Sequence, residues 1–201
     1  MGRATRVDIG DEIYHVLNRA NGRARIFHSA KQYEHFEKLL IEARGKFEVK
    51  LYAYELMPNH WHLVVSPNKD GDLSRFMQWL TLTHTQQYHA KTKTVGYGHL
   101  YQGRYKSFII EKSDYLLQLI RYVERNALRA RLVTHAEDWR WGSAHHRIQK
   151  HTKKTFLDAL PIDLPRNYRS WLNEKDGTPV LQEIRQSVNR GKPFGTMQWV
   201  E

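Results

Sequence analysis

The chain has 201 residues, 40% of them hydrophobic and 12% aromatic, which suits one compact domain with an appended segment and argues against disorder. It contains no cysteine, which excludes disulfide staples and thiolate-held zinc or iron–sulfur centres, and no apolar run long enough to span a bilayer. With 32 basic against 21 acidic residues the formal charge is +11, an excess that favours a polyanionic partner over a membrane surface.

No apolar run follows Arg3 and Arg6, so no secretory signal is expected. From about Glu12 to Arg19, Ile13, His15 and Leu17 alternate with Tyr14, Val16 and Asn18, the pattern of a strand buried on both faces. Asn21-Gly22 ends it. Ser29 is placed to cap a helix in which Tyr33, Phe36, Leu40 and Ala43 recur at helical spacing until Gly45. Phe47 to Met57 returns to strand character, and Pro58-Asn59 turns it into a third strand from His60, as an antiparallel hairpin. After a turn at Asn68 to Gly71, a second helix carries Leu73, Phe76, Met77, Leu80, His84 and Gln87 on one side. Lys91 to Gly103 holds three glycines and reads as a loop, Tyr105 to Glu111 as a fourth strand. Ser113 and Asp114 can cap a third helix running from Tyr115 to about Ala130.

The order β-α-β-β-α-β followed by a helix predicts an α+β fold: a ferredoxin-like antiparallel sheet with helices on one face. Residues 1–150 are expected to form this domain and 151–201 a C-terminal helical extension. Pro161 and Pro165 mark its start, and its helices split near Gly177-Thr178-Pro179.

Within this frame His60-Trp61-His62 carries the most chemistry. Residues two apart in a strand point the same way, so both imidazoles share a face while Trp61 packs into the opposite layer. Two neutral imidazoles begin a divalent cation site without saturating it. Magnesium or manganese would accept weak oxygen ligands and water as well, and Asn126 offers an amide oxygen. Tyr122, four residues before Asn126, shares its helix face and is the candidate nucleophile. Tyr115 lies on the same face, but the residue four after it is Leu119, which cannot ligate a cation. A metal that polarises a phosphate beside an attacking tyrosine is a DNA-nicking site.

These residues resemble a known family. Met57-Pro58-Asn59-His60-Trp61-His62-Leu63-Val64 is similar to the HUH motif of single-strand DNA endonucleases. Arg121-Tyr122-Val123-Glu124-Arg125-Asn126-Ala127-Leu128-Arg129-Ala130 resembles the tyrosine helix of the REP-associated tyrosine transposases. His15-Val16-Leu17-Asn18-Arg19, Gln102-Gly103-Arg104-Tyr105-Lys106, Trp141-Gly142-Ser143 and the terminal Arg190-Gly191-Lys192-Pro193-Phe194-Gly195 agree with it in order. One departure is Ala127, where the family often has proline after the helix asparagine.

The resemblance implies a bacterial, cytoplasmic, nucleoid-associated enzyme whose tyrosine attacks a phosphodiester, forming a 5′-phosphotyrosine and releasing a 3′-hydroxyl. It implies Tyr122 as nucleophile and a Mg2+ or Mn2+ ion held by His60, His62 and Asn126. The substrate would be a hairpin of a repetitive extragenic palindrome with an adjoining single-stranded tetranucleotide, bound by a monomer, with a dimer left open. Asn18, Arg19, Arg23, Arg25, Arg104, Lys106, Arg121 and Arg125 are the expected DNA contacts. The aromatics Tyr14, Phe27, Tyr101 and Tyr105 are either core residues or platforms for unpaired bases. A hairpin-binding module with an inert site, and a metal-dependent hydrolase using activated water, stay open on the residues alone.

Overall fold

A computed structural model describes residues 7–149, 156–175 and 177–200. Arg3 and Arg6 lie outside the described residues. Four strands, β1 (Ile13–Arg19), β2 (Lys50–Met57), β3 (His60–Ser66) and β4 (Lys106–Ile110), form one antiparallel sheet in the order β2-β3-β1-β4. The crossover helices α1 (Ala30–Phe47) and α2 (Asp72–Thr92) pack together on one face, the ferredoxin-like arrangement that the element order predicts. Helix α3 (Asp114–Glu124) covers the opposite face with α7 (Thr178–Arg190), so the sheet is enclosed rather than half solvated.

Alternation along the strands sorts side chains between the two cores. Tyr14, Val16, Trp61 and Leu63 meet Phe36, Leu40, Phe76 and Leu80 of α1 and α2. Ile13, Val64, Phe108 and Ile110 meet Leu116, Leu119, Ile120 and Val123 of α3. Burying each of these large side chains stabilises the fold by roughly 1.5–3 kcal/mol. A register shift between Leu51 and Ala53 of β2 puts Tyr52 and Ala53 both into the second core before alternation resumes.

Several boundaries differ from the sequence expectation for local reasons. Helix α1 runs past Gly45 to Phe47 and is stopped by Glu48 in a left-handed conformation (φ 50°). Ser29 occupies the N-cap position without a capping hydrogen bond from its side chain, whereas Ser113 accepts from the Tyr115 N–H at the start of α3. Helix α2 continues to Thr92, so the glycine-bearing loop begins at Lys93. The helix expected from Tyr115 to Ala130 breaks at Arg125 (φ −102°, ψ 6°) and resumes as α4 (Asn126–Arg129).

The remaining chain is built into these cores. A 3-10 turn at Ala136–Asp138 precedes α5 (Ser143–Ile148), and beyond it come α6 (Tyr168–Asn173), α7 and α8 (Met197–Val200). Along the outer flank of β2, Leu56 N–H donates to Trp141 O, Tyr54 N–H to Ser143 Oγ, and Leu51 exchanges hydrogen bonds with Asp158. Along the outer flank of β4, Phe194 forms a parallel bridge with Ile110 through Phe194 N–H to Ile109 O and Glu111 N–H to Phe194 O.

His84 of α2 shows how this packing affects acid stability. Its Nδ1 lies 2.6 Å from the Tyr101 hydroxyl, which also accepts from Trp61 Nε1 at 3.0 Å. Burial, aided by His35 and Lys91, lowers the His84 pKa from 6.5 to about 3. The unfolded chain therefore takes up a proton at His84 below 6.5 while the folded chain does not, so stability falls as pH drops from about 6.5 towards 3. His84→Gln should reduce the stability lost between about pH 7 and pH 5 by about 2 kcal/mol, measured by denaturant unfolding. An unchanged loss in that variant would contradict a neutral buried imidazole.

Candidate functional site

β3 presents His60 and His62 on the sheet face turned towards α3, with ring centroids 5.1 Å apart, while Trp61 is fully buried in the opposite core. Strand register then chooses their neighbours. Arg19 of β1 is the cross-strand partner of His60, and Leu17 and Glu55 flank His62 on either side. Two residues before Leu17, His15 stacks on His62 at 5.1 Å, with its Nε2 2.9 Å from His62 Nδ1.

Hydrogen bonds direct the ring nitrogens. His60 Nδ1 is 2.6 Å from the Asn59 side-chain oxygen. An amide oxygen only accepts, so Nδ1 carries the hydrogen and Nε2 keeps its lone pair. The His15 contact occupies His62 Nδ1 with a nitrogen that can donate or accept; when His62 Nδ1 donates, its Nε2 is the ligating end. Burial lowers the pKa of His15 to about 3. Burial and then Arg19 lower that of His60 to about 4. Burial, followed by His60, His15, Arg129 and Arg19, takes His62 well below its ordinary 6.5. All three imidazoles are neutral at pH 7, the form that binds a metal.

Tyr122 reaches this group from α3. It is 9% exposed and stands edge-on to His62 and His15, with centroids 6.2 and 6.5 Å away. The Arg129 guanidinium lies 4.3 Å over its ring and donates to the Tyr122 carbonyl. Tyr115 instead packs on Phe194 at 4.8 Å, at the other end of the helix. Asn126 opens α4, and its amide nitrogen donates to Tyr122 O and Val123 O at 3.3 and 3.0 Å, so the side-chain oxygen is the end able to ligate. Two imidazole nitrogens and an amide oxygen are an incomplete donor set, which water and a phosphate oxygen would have to complete around any divalent ion. Among the described residues no group of three His, Cys, Asp or Glu side chains is placed to hold a metal.

The expected DNA contacts divide. Arg19, Arg104 and Lys106 line a groove of about 380 Å³ together with Leu17, Gln102 and Gly103. Arg23 and Arg25 are exposed in the turn after β1. Asn18 forms the groove floor, where its Nδ2 donates to Gly103 O and its Oδ1 accepts from Arg19 N–H, so both ends are engaged by backbone. Arg121 and Arg125 require correction as DNA contacts, for both turn into the seam with α6. Arg121 donates to Trp171 O and Glu174 O and stacks on the Trp171 ring, and Arg125 donates to Leu172 O. Tyr14, Phe27, Tyr101 and Tyr105 are all buried and pack in the core rather than offering faces to bases.

His15, Arg129 and Glu55 are site neighbours that the sequence reading passed over. His15 is in phase with Arg19 along β1, a visible signal, but its match to His62 depends on pairing between distant strands. Arg129 follows Tyr122 by seven residues, two helical turns on.

Comparison with known proteins places the chain in a family and matches its fold. The family model described as "Transposase IS200 like" matches residues 10–126, more than half of the chain. A solved REP-associated tyrosine transposase bound to a REP hairpin is similar in fold, with a TM-score of 0.62 at 17% identity over 75% of this chain and 87% of that one. A putative transposase from Deinococcus radiodurans R1 gives a TM-score of 0.43 at 17% identity, over 62% of this chain and 95% of that one. No curated protein matches.

His15→Phe removes the partner of His62 Nδ1 while keeping an aromatic ring in the slot. The variant should bind Mn2+ roughly 10- to 100-fold more weakly than the parent, read by electron paramagnetic resonance titration. Unchanged affinity would show that His15 does not orient His62.

Proposed function

Because the chain belongs to the IS200-like transposase family, we propose that it is a site-specific single-strand DNA endonuclease and strand transferase acting on hairpin DNA of the repetitive extragenic palindrome type. The observation that carries this reading is the Tyr122 ring, edge-on to His62 at 6.2 Å and under the Arg129 guanidinium. The hairpin substrate is supported by the REP hairpin bound to the structural neighbour, and the +11 charge suits any phosphate backbone.

His60 and His62 through Nε2, and Asn126 through its side-chain oxygen, would hold a Mg2+ or Mn2+ ion. Such an ion supplies charge stabilisation at a non-bridging phosphate oxygen. Tyr122 Oη attacks phosphorus in line, forming a new P–O bond as the bond to the 3′ oxygen breaks. The phenol loses its proton and the departing oxygen gains one, giving a 5′-phosphotyrosine and a free 3′-hydroxyl. The ester retains the energy of the broken bond, so attack by a 3′-hydroxyl rejoins the strand without a nucleotide cofactor.

Arg129, stacked over the Tyr122 ring and bonded to its carbonyl, holds the tyrosine in place beside the histidines. Arg19, beside His60 and with a buried Nε that has no hydrogen-bond partner among the described residues, suits a phosphate of the bound strand. Arg104 and Lys106 extend that cationic lining along the groove, and Arg23 and Arg25 add to it from the turn after β1.

The test incubates the protein with Mn2+ or Mg2+ and a labelled single-stranded hairpin oligonucleotide, followed by a denaturing gel. A shifted covalent band is expected, lost in Tyr122→Phe and His60→Ala and kept in Tyr115→Phe. Cleavage without a covalent band would indicate hydrolysis by activated water, and binding without cleavage an inert hairpin-binding module. Arg129→Ala should slow adduct formation roughly a hundredfold in single-turnover measurements.

A further inference from the structure

Glu55 is a fully buried carboxyl group in the middle of β2, directly opposite His62 on β3. Facing residues of an antiparallel pair share a side of the sheet, so its side chain leaves the strand beside the histidine pair. Its Oε1 accepts the Ala127 N–H at 3.2 Å, while its Oε2 is buried with no hydrogen-bond partner among the described residues. Space for this group depends on Gly142, where a Cβ would lie 2.0 Å from Oε2.

The Ala127 N–H needs this acceptor because of the helix break. In an unbroken helix it would bond to Val123 O. Here the Asn126 side-chain amide donates to Val123 O, and Arg125 N–H is shared between Arg121 O and Val123 O. Ala127 is fully buried, so its displaced N–H cannot turn to water. A proline at position 127 would have no such donor, whereas alanine keeps it. One carboxyl group therefore links the strand beside His62 to the residue after Asn126.

We infer that Glu55 is a positioning residue, holding the break between α3 and α4 and with it the place of the Asn126 side chain one turn after Tyr122. Burial pushes the Glu55 carboxyl well above the ordinary carboxylate range, with Glu124 adding to this and the Ala127 N–H and Arg129 opposing it. A neutral carboxyl still accepts from the N–H, and its amide isostere does so equally. This role rests on the reading of Asn126 as a metal ligand, and the test separates the two.

The full chain and its variants are titrated with Mn2+ by electron paramagnetic resonance, and exchange of the Ala127 amide hydrogen is followed by NMR. Glu55→Leu should weaken Mn2+ binding about tenfold and speed Ala127 exchange, while Glu55→Gln stays within about threefold of the parent. Adding Ala127→Pro to Glu55→Leu removes the stranded donor and should recover most of the affinity. Gly142→Ala, which crowds the carboxyl from outside, should loosen Ala127 and weaken Mn2+ binding even if Glu55→Leu does not fold. Parental affinity with a still-protected Ala127 amide in Glu55→Leu or Gly142→Ala overturns the inference. If the parent itself binds no Mn2+, the metal reading fails, and amide exchange alone decides: faster exchange supports the hydrogen-bonding role of Glu55 and unchanged exchange overturns it.

Discussion

The placement of β3 between β1 and β2 governs which groups meet. Because facing residues of antiparallel strands share a side, this register sets Arg19 against His60 and Glu55 against His62. A slip of one residue would turn both imidazoles into the α1–α2 core and push Trp61 towards α3. The Trp61 ring opposes that slip, being fully buried 5.8 Å from Phe36 and hydrogen-bonded to Tyr101. Chemistry on one face of the strand is thus held in place by packing on the other.

The helix that delivers Tyr122 is anchored by polar groups as much as by apolar ones. Glu124, the last residue of α3, is fully buried yet well satisfied. Its Oε1 accepts from Ser143 Oγ at 2.5 Å and Arg147 Nε at 2.9 Å, and its Oε2 accepts from the Tyr168 hydroxyl. A buried carboxylate is tolerated only when paired in this way. These bonds gather α5 and α6 around the end of α3, and Arg121 and Arg125 complete the attachment through α6 carbonyls.

Features with a short sequence period are legible in the sequence itself. The strand alternation at Ile13–Arg19, the paired histidines with Trp61 turned away, and the apolar stripe of α1 follow from local geometry alone. That Tyr122 lies beside the histidines while Tyr115 packs on Phe194 depends instead on how α3 lies across the sheet. What could not be read depends on partners distant in sequence. Arg121 and Arg125 look like DNA contacts until α6, about 50 residues later, supplies carbonyls for them. The break at Arg125 carries no glycine or proline, and its stabilising acceptor, Glu55, lies 72 residues from Ala127. The cover on the second sheet face likewise arises from α7, whose position no local pattern reveals.

The strands at the two borders of the sheet have a further consequence for assembly. β2 is paired along its outside by the Trp141–Ser143 stretch and Asp158, and β4 by Phe194. Unsatisfied main-chain groups at a sheet border are the usual template for adding a foreign strand. Here the chain's own later segments occupy those places, so a second copy cannot extend the sheet without first displacing them. The segment around Phe194 thus stands in the way of strand addition beside Ile109–Glu111.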